Sequence, residues 1–149
     1  MTDHQRPLAD RIDAVRLARG VCRTLVQHGY GVLTEFPLRS GRRADVIAIN
    51  HRGNTVIVEI KTSADDFRAD RKWPEYLAFC DGFFFAVPAG FPCELVPPEC
   101  GLMVADEYGA VILRPGSTPP MNGSRRRAQT VRLAVVASLR LHRLLDPAR

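Results

Sequence analysis

Ile12, Val15, Ala18, Cys22, Leu25 and Val26 recur mostly at three- and four-residue intervals, a spacing that predicts one buried face of a helix over residues 8–28, stopped by Gly29. Residues 30–36 then predict a strand ended by Pro37, followed by a basic, polar loop over residues 38–43. Residues 44–50 and 55–61 predict two strands joined through His51-Arg52-Gly53. A second helical region follows, with Ser63 as N-cap and Asp66 three residues on, restarted or kinked at Pro74. Asp81-Gly82 turns into an aromatic-rich buried strand over residues 83–87, ended by Pro88.

Pro92, Pro97 and Pro98 make residues 89–101 an ordered loop that can bury Phe91, Leu95 and Val96. Residues 102–105 and 110–113 predict a hairpin about Asp106-Glu107-Tyr108-Gly109, and a Pro/Gly/Ser-rich connector leads to a last helix over residues 124–145. On that helix Arg125, Gln129, Arg132, Arg140 and Arg143 share an arc, and Val131, Ala134, Leu141, Leu144 and Leu145 lie opposite. The basic arc either tracks phosphates or is a solvated face of a helix packed by its apolar side.

The order helix, three strands, helix, strand implies an α/β (α+β) fold with a mixed sheet. Its first three strands form an antiparallel meander, and the fourth, after a helical crossover, runs parallel to a neighbour. A length of 149 residues suits one domain over residues 1–149, with residues 116–149 as connector plus C-terminal helix. No apolar stretch approaches the roughly 18 residues of a membrane span, so no membrane association is expected. The polar start, residues 1–11, argues against a signal peptide and for a cytoplasmic protein. Cys22, Cys80, Cys93 and Cys100 form no CxxC pair, which predicts buried thiols rather than a zinc site.

The chemistry begins with charges placed inside apolar strands. A three-residue hairpin loop commonly ends in a left-handed residue, so Gly53 selects the loop and sets Asn50 opposite Asn54. Counting back, Ile49 meets Thr55, Ile47 meets Ile57, and Asp45 meets Glu59 on one face, with Lys61 projecting from the same face. Two facing carboxylates repel and call for a cation. Mg²⁺ held by the acids is one answer, with Lys61 stabilising charge at a reacting phosphate. The other is an ion pair of Lys61 with Glu59 or Asp45. Net charge sharpens the first: the chain carries +5, and 19 of its 21 cations are arginine, leaving only Lys61 and Lys72 as lysines. Lys72, with Arg68 and Arg71, either contacts a nucleic-acid backbone or forms a solvated helix face. Trp73 and Tyr76 either stack on bases or pack the core.

Asp45 with Glu59-Ile60-Lys61, preceded by Gly29-Tyr30 and Ser40-Gly41, resembles the PD-(D/E)XK nuclease superfamily. Within it the chain is most similar to MmcB-type bacterial DNA-repair proteins, through Glu59-Ile60-Lys61-Thr62-Ser63, Asp66-Phe67, Lys72-Trp73, Tyr76 and residues 80–87, over roughly residues 8–115. The resemblance implies a restriction-endonuclease-like mixed sheet with an αβββαβ core, an extra C-terminal hairpin and a C-terminal helix. It implies that Asp45, Glu59 and the Ile60 carbonyl ligate Mg²⁺ or Mn²⁺ and that Lys61 assists water attack on a phosphodiester. Ser40 matches a loop serine of the similar Holliday-junction resolvases, and Ser40, Arg42, Arg43, Arg71 and Lys72 are the expected DNA contacts. The chain departs from the pattern in having no Glu over residues 8–28 and Ala44 where a Pro is usual; Glu35 either replaces the missing acid or faces solvent. Two readings stand: a metal-dependent deoxyribonuclease acting on DNA, branched or damaged, as a homodimer if it follows the junction enzymes, or a catalytically inactive DNA-binding or repair-accessory module.

Overall fold

A computed structural model describes residues 7–148; His4, which has no ligand spacing to the other histidines, lies outside the described residues. The elements run α1 (Leu8–Gln27), β1 (Gly31–Pro37), β2 (Arg43–Ile49), β3 (Thr55–Ile60), α2 (Ala64–Ala69), a 3₁₀ segment (Trp73–Phe79), β4 (Gly82–Val87), a 3₁₀ turn (Cys93–Leu95), β5 (Gly101–Ala105), β6 (Ala110–Arg114) and α3 (Gly123–Leu145). The six strands form one mixed sheet in chain order, β1 to β6. β1, β2 and β3 make the expected antiparallel meander, β4 joins β3 in parallel after the helical crossover, β5 joins β4 in parallel, and β6 returns antiparallel.

Both faces of the sheet are covered, which is why β3 and β4 are almost continuously apolar. On one face Val46, Ala48, Val56, Val58, Phe84, Ala86 and Met103 pack against Leu17, Val21 and Leu25 of α1. On the other, Ile47, Ile57, Phe83, Phe85 and Leu102 meet Tyr76, Phe91, Val96 and Leu133, with Phe67 and Trp73 at the margin. Trp73 and Tyr76 both stack on Phe83, with centroids 5.8 and 6.2 Å away, so these aromatics are core. Cys80 and Cys100 are buried, and burial pushes their thiols up to about 12 and about 11.

Two helices are rotated from the stripe that their periodicity favours, α1 in part and α3 more fully. α1 buries Leu17, Val21, Thr24 and Leu25, packs Ala18 and Cys22 against the same cluster, and leaves Ile12, Val15 and Val26 exposed, so half of the expected stripe meets the core. Its rotation is set by Gly20 and Thr24. A Cβ at Gly20 would lie 1.7 Å from the Asp106 carbonyl oxygen, and the Thr24 hydroxyl accepts from Ala110 N–H at 2.8 Å and donates to Ala110 O at 3.2 Å. Replacing Gly20 by Ala is therefore expected to lift α1 off the β5–β6 turn at a cost of about 1–3 kcal/mol, read as a lower denaturant midpoint. An unchanged midpoint would refute that close approach.

α3 is turned the same way. Arg132 and Arg140 of its arginine arc reach the β1 edge of the sheet, Arg143 is exposed, and so are Val131, Leu141, Leu144 and Leu145. Arg132 donates to Pro37 O at 2.7 Å, Arg140 to Thr34 O at 2.6 Å and to Glu35 O at 2.8 Å, and Gln129 to Phe79 O. Edge strand β1 offers carbonyls with no neighbouring strand, and a guanidinium fork supplies several donors at once, so these bonds outweigh the burial of a few leucines. At the other end of α3, Arg126 grips both oxygens of Asp81, and those oxygens also accept from Thr55 N–H at 2.8 Å and Met121 N–H at 3.0 Å. Asp81 thus ties the start of β3, the start of β4 and the connector to α3.

Candidate functional site

The hairpin that positions the acids folds as its residues require. Gly53 has φ +80°, Gly53 N–H donates to Asn50 O at 3.0 Å, and the Asn50 side chain accepts from Arg52 and Asn54 N–H at 3.0 Å each. The register pairs Ile49 with Thr55 and Ile47 with Ile57, and the ladder ends at Val46 and Val58. The next two residues are Asp45 and Glu59. Beyond the last ladder pair each carboxylate accepts a backbone amide of the opposite strand: Asp45 N–H donates to Glu59 Oε1 at 3.0 Å, and Ile60 N–H donates to Asp45 Oδ2 at 2.8 Å. Glu59 is only 5% exposed. Burial first, and the charge of Asp45 second, push its carboxyl well above the ordinary value of 4.5.

Lys61 is buried on the same side, where its charge acts on Glu59. Its Nζ lies 2.8 Å from Asp70 Oδ2, in the link between α2 and the 3₁₀ segment. Asp70 is held in turn by Lys72 N–H at 2.8 Å and Trp73 N–H at 3.1 Å on Oδ1. Burial raises the Asp70 carboxyl, but the hydrogen bond and charge of Lys61 outweigh it and leave the group below 3.8. The link is anchored upstream by a reciprocal cap at the start of α2: Asp66 N–H donates to Ser63 Oγ and Thr62 N–H to Asp66 Oδ2, both at 3.1 Å. Tyr76 closes the site. Its hydroxyl donates to Arg43 O at 3.0 Å, and burial followed by the charges of Glu59, Asp45 and Asp70 raises its pKa.

The other candidates are dispersed around this centre. Arg42 pairs with Glu75 of the 3₁₀ segment, which pins the basic loop, and Ser40 Oγ accepts from Arg42 N–H at 3.3 Å. Arg43 is exposed, 3.7 Å from Glu35. Glu35 adopts φ +49°, is exposed and does not join the acids. Arg71 and Lys72 are exposed, and Arg68 pairs with Asp65. Asp70 is the site residue that periodicity and motif spacing overlooked. Its signal was an Asp three residues before Trp73-Pro74, a place where a carboxylate can accept the first amides of a following turn.

Asp45 and Glu59 form an oxygen donor set of the kind a hard divalent cation takes, with the Ile60 carbonyl adjacent. The fit rests on Glu59, a buried carboxyl forced upward in pKa beside a like charge, since a cation relieves both causes. Among the described residues no group of three or more His, Cys, Asp or Glu side chains is arranged for a metal, so such a cation would draw its remaining ligands from water and substrate.

Comparison with known proteins agrees with this architecture. A solved protein of unknown function from Silicibacter pomeroyi is 43% identical, with a TM-score of 0.86 over 91% of this chain and 92% of that one. No curated protein matches the chain. Among the described residues no helix is long and apolar enough to cross a membrane. Residues 4–148 match the family described as DNA repair protein MmcB-like, and the chain belongs to that family.

Proposed function

We propose that the protein is a metal-dependent nuclease of the PD-(D/E)XK kind, acting on DNA in repair. The observation that carries this reading is the meeting of half-buried Asp45 with buried Glu59 at the end of the β2–β3 ladder, beside a buried lysine. Asp45, Glu59 and the Ile60 carbonyl would hold Mg²⁺ or Mn²⁺, which when bound polarises a phosphodiester and eases ionisation of water. Lys61 stabilises the negative charge that builds on the phosphate oxygens, and Asp70 keeps its ammonium aimed. Tyr76 holds the end of β2 through Arg43 O. Arg43, Arg71 and Lys72 are exposed around the site and suit contacts to the DNA backbone.

A second reading, a DNA-binding repair module without turnover, is favoured by two observations. Lys61 is engaged by Asp70, and no third carboxylate joins Asp45 and Glu59 among the described residues. Incubating the protein with supercoiled, single-stranded and branched DNA in Mg²⁺ or Mn²⁺ separates the two. The nuclease reading expects cleavage that chelator stops and that folded Asp45→Asn and Lys61→Ala variants lack. Cleavage indifferent to both substitutions refutes the mechanism, and binding without cleavage by the unaltered protein establishes the module.

A further inference from the structure

The loop over residues 38–42 and the first half of α3 enclose an open cleft of about 490 Å³, apart from the carboxylate pair. Arg39 and Ser40 stand on one wall, Arg125 and Arg132 on the other, and Phe79 and the buried Gln129 lie between them. Three guanidiniums line the cleft and no carboxylate does. Two of them are fastened in place. Arg125 donates to Ala78 O at 3.2 Å and sits 4.8 Å from the centroid of the Phe79 ring, and Arg132 donates through Nε to Pro37 O. Each of those bonds uses one of a guanidinium's five N–H donors, so both arginines keep donors for a ligand. Arg39 is exposed and makes no ion pair among the described residues. The α3 N-terminus, capped by Asn122 accepting from Arg125 N–H at 2.8 Å, adds its own partial positive charge.

Like charges converging on a concavity disfavour one another until an anion joins them, and planar forks match the oxygens of a phosphate ester. The Arg125–Phe79 layer beside them offers a flat face for a base or sugar. A neighbouring hollow of about 420 Å³ shares Ser40 and Phe79 and reaches Arg42 and Glu75; the next residue after Arg42, Arg43, is bonded through its carbonyl to Tyr76, on which the charges of Glu59 and Asp45 act. We propose that the cleft binds the phosphate backbone of a DNA strand, with a nucleotide laid on the Arg125–Phe79 layer, and leads that strand toward Asp45 and Glu59. This deepens the DNA reading above and rests on it.

Fluorescence anisotropy of the full chain with labelled single-stranded and branched oligonucleotides, at low and moderate salt, tests the proposal. Arg39 is the informative position because it supports no part of the fold. Arg39→Ala is expected to weaken binding roughly 5–10-fold at low salt and to reduce the salt slope by about 0.7 for a single strand, with Arg39→Glu weakening it further. Arg19→Ala, on α1 across the sheet, should change neither. The loss should hold for strands with and without a 5′-phosphate if internal phosphodiesters occupy the cleft, and should be confined to phosphorylated strands if a terminal phosphate does. Tight binding by the unaltered protein that Arg39→Ala and Arg39→Glu leave intact overturns the cleft but spares the DNA reading. Failure of the unaltered protein to bind any DNA at low salt overturns both.

Discussion

Glu59→Gln is expected to lower metal-dependent cleavage by about 10²–10³-fold and, in chelator at pH 8, to make the protein more stable by roughly 0.5–2 kcal/mol. The two effects share one cause. The Glu59 carboxyl is buried beside Asp45, so its pKa in the fold lies above the ordinary 4.5. A carboxyl raised in the fold contributes stability that is fully present below its unfolded value and is lost as pH rises through its folded value. Metal-free protein should therefore melt at progressively lower temperature as pH climbs from about 4.5, the ordinary value of the carboxyl. The amide of Gln can still accept from Asp45 N–H, but it carries no charge, so the variant should lose this decline. Mg²⁺ should flatten the curve of the unaltered protein and leave that of the variant unchanged. Melting curves from pH 5 to 9 with and without chelator decide it: a Glu59→Gln protein less stable than its parent at pH 8 would contradict the strained-carboxyl account, whatever its activity.

The second large effect concerns the fold. Asp81→Ala is expected to cost about 2–4 kcal/mol, because it leaves Arg126 with only the Gly53 and Met121 carbonyls and removes the acceptor for the Thr55 and Met121 amides together. For a chain of this size that is a fall in melting temperature of roughly 10 °C. Burial raises the Asp81 carboxyl, but Arg126, Thr55 and Met121 outweigh it and leave it below 3.8. The sign is opposite to that of Glu59: a depressed carboxyl contributes stability present above its unfolded value and lost as pH falls through its folded value. Asp81→Asn should thus be most harmful near neutral pH and should converge with the parent protein as pH falls below 3.8 and through the lower value that the parent's carboxyl has in the fold. A loss equal at all pH values would mean that the contact matters for shape rather than charge.

The hairpin carrying Asp45 and Glu59 was legible because two local rules coincide there. Gly53 sets the loop, and the period of two carries the register back to the acids. The helices show where such reading stops. Periodicity finds a stripe but does not say which stripe is buried. In α1 a close approach at Gly20 and a hydroxyl at Thr24 decide the rotation, and both depend on a turn more than 80 residues away. In α3 an arginine stripe looks solvated until the carbonyls of β1 are known to face it. The Lys61–Asp70 pair was hidden for a related reason: it is made across a link whose path follows from the capping of α2 and the start of the 3₁₀ segment, not from any spacing in the chain.

The arginine-bonded flank of β1 also limits how copies of the protein can meet. The carbonyls of Thr34, Glu35 and Pro37 are already engaged by α3, Pro37 has no N–H, and the left-handed turn at Glu35 breaks the strand's straight outline. While α3 is seated, an incoming chain finds the Thr34–Pro37 half of that edge already occupied. Strand-by-strand polymerisation is thereby hindered in one direction, and β6 is the opposite border of the described sheet, where another β-segment could dock. A truncated protein lacking α3 would lose this guard and, although its sheet sequence is untouched, should become prone to self-association through β1.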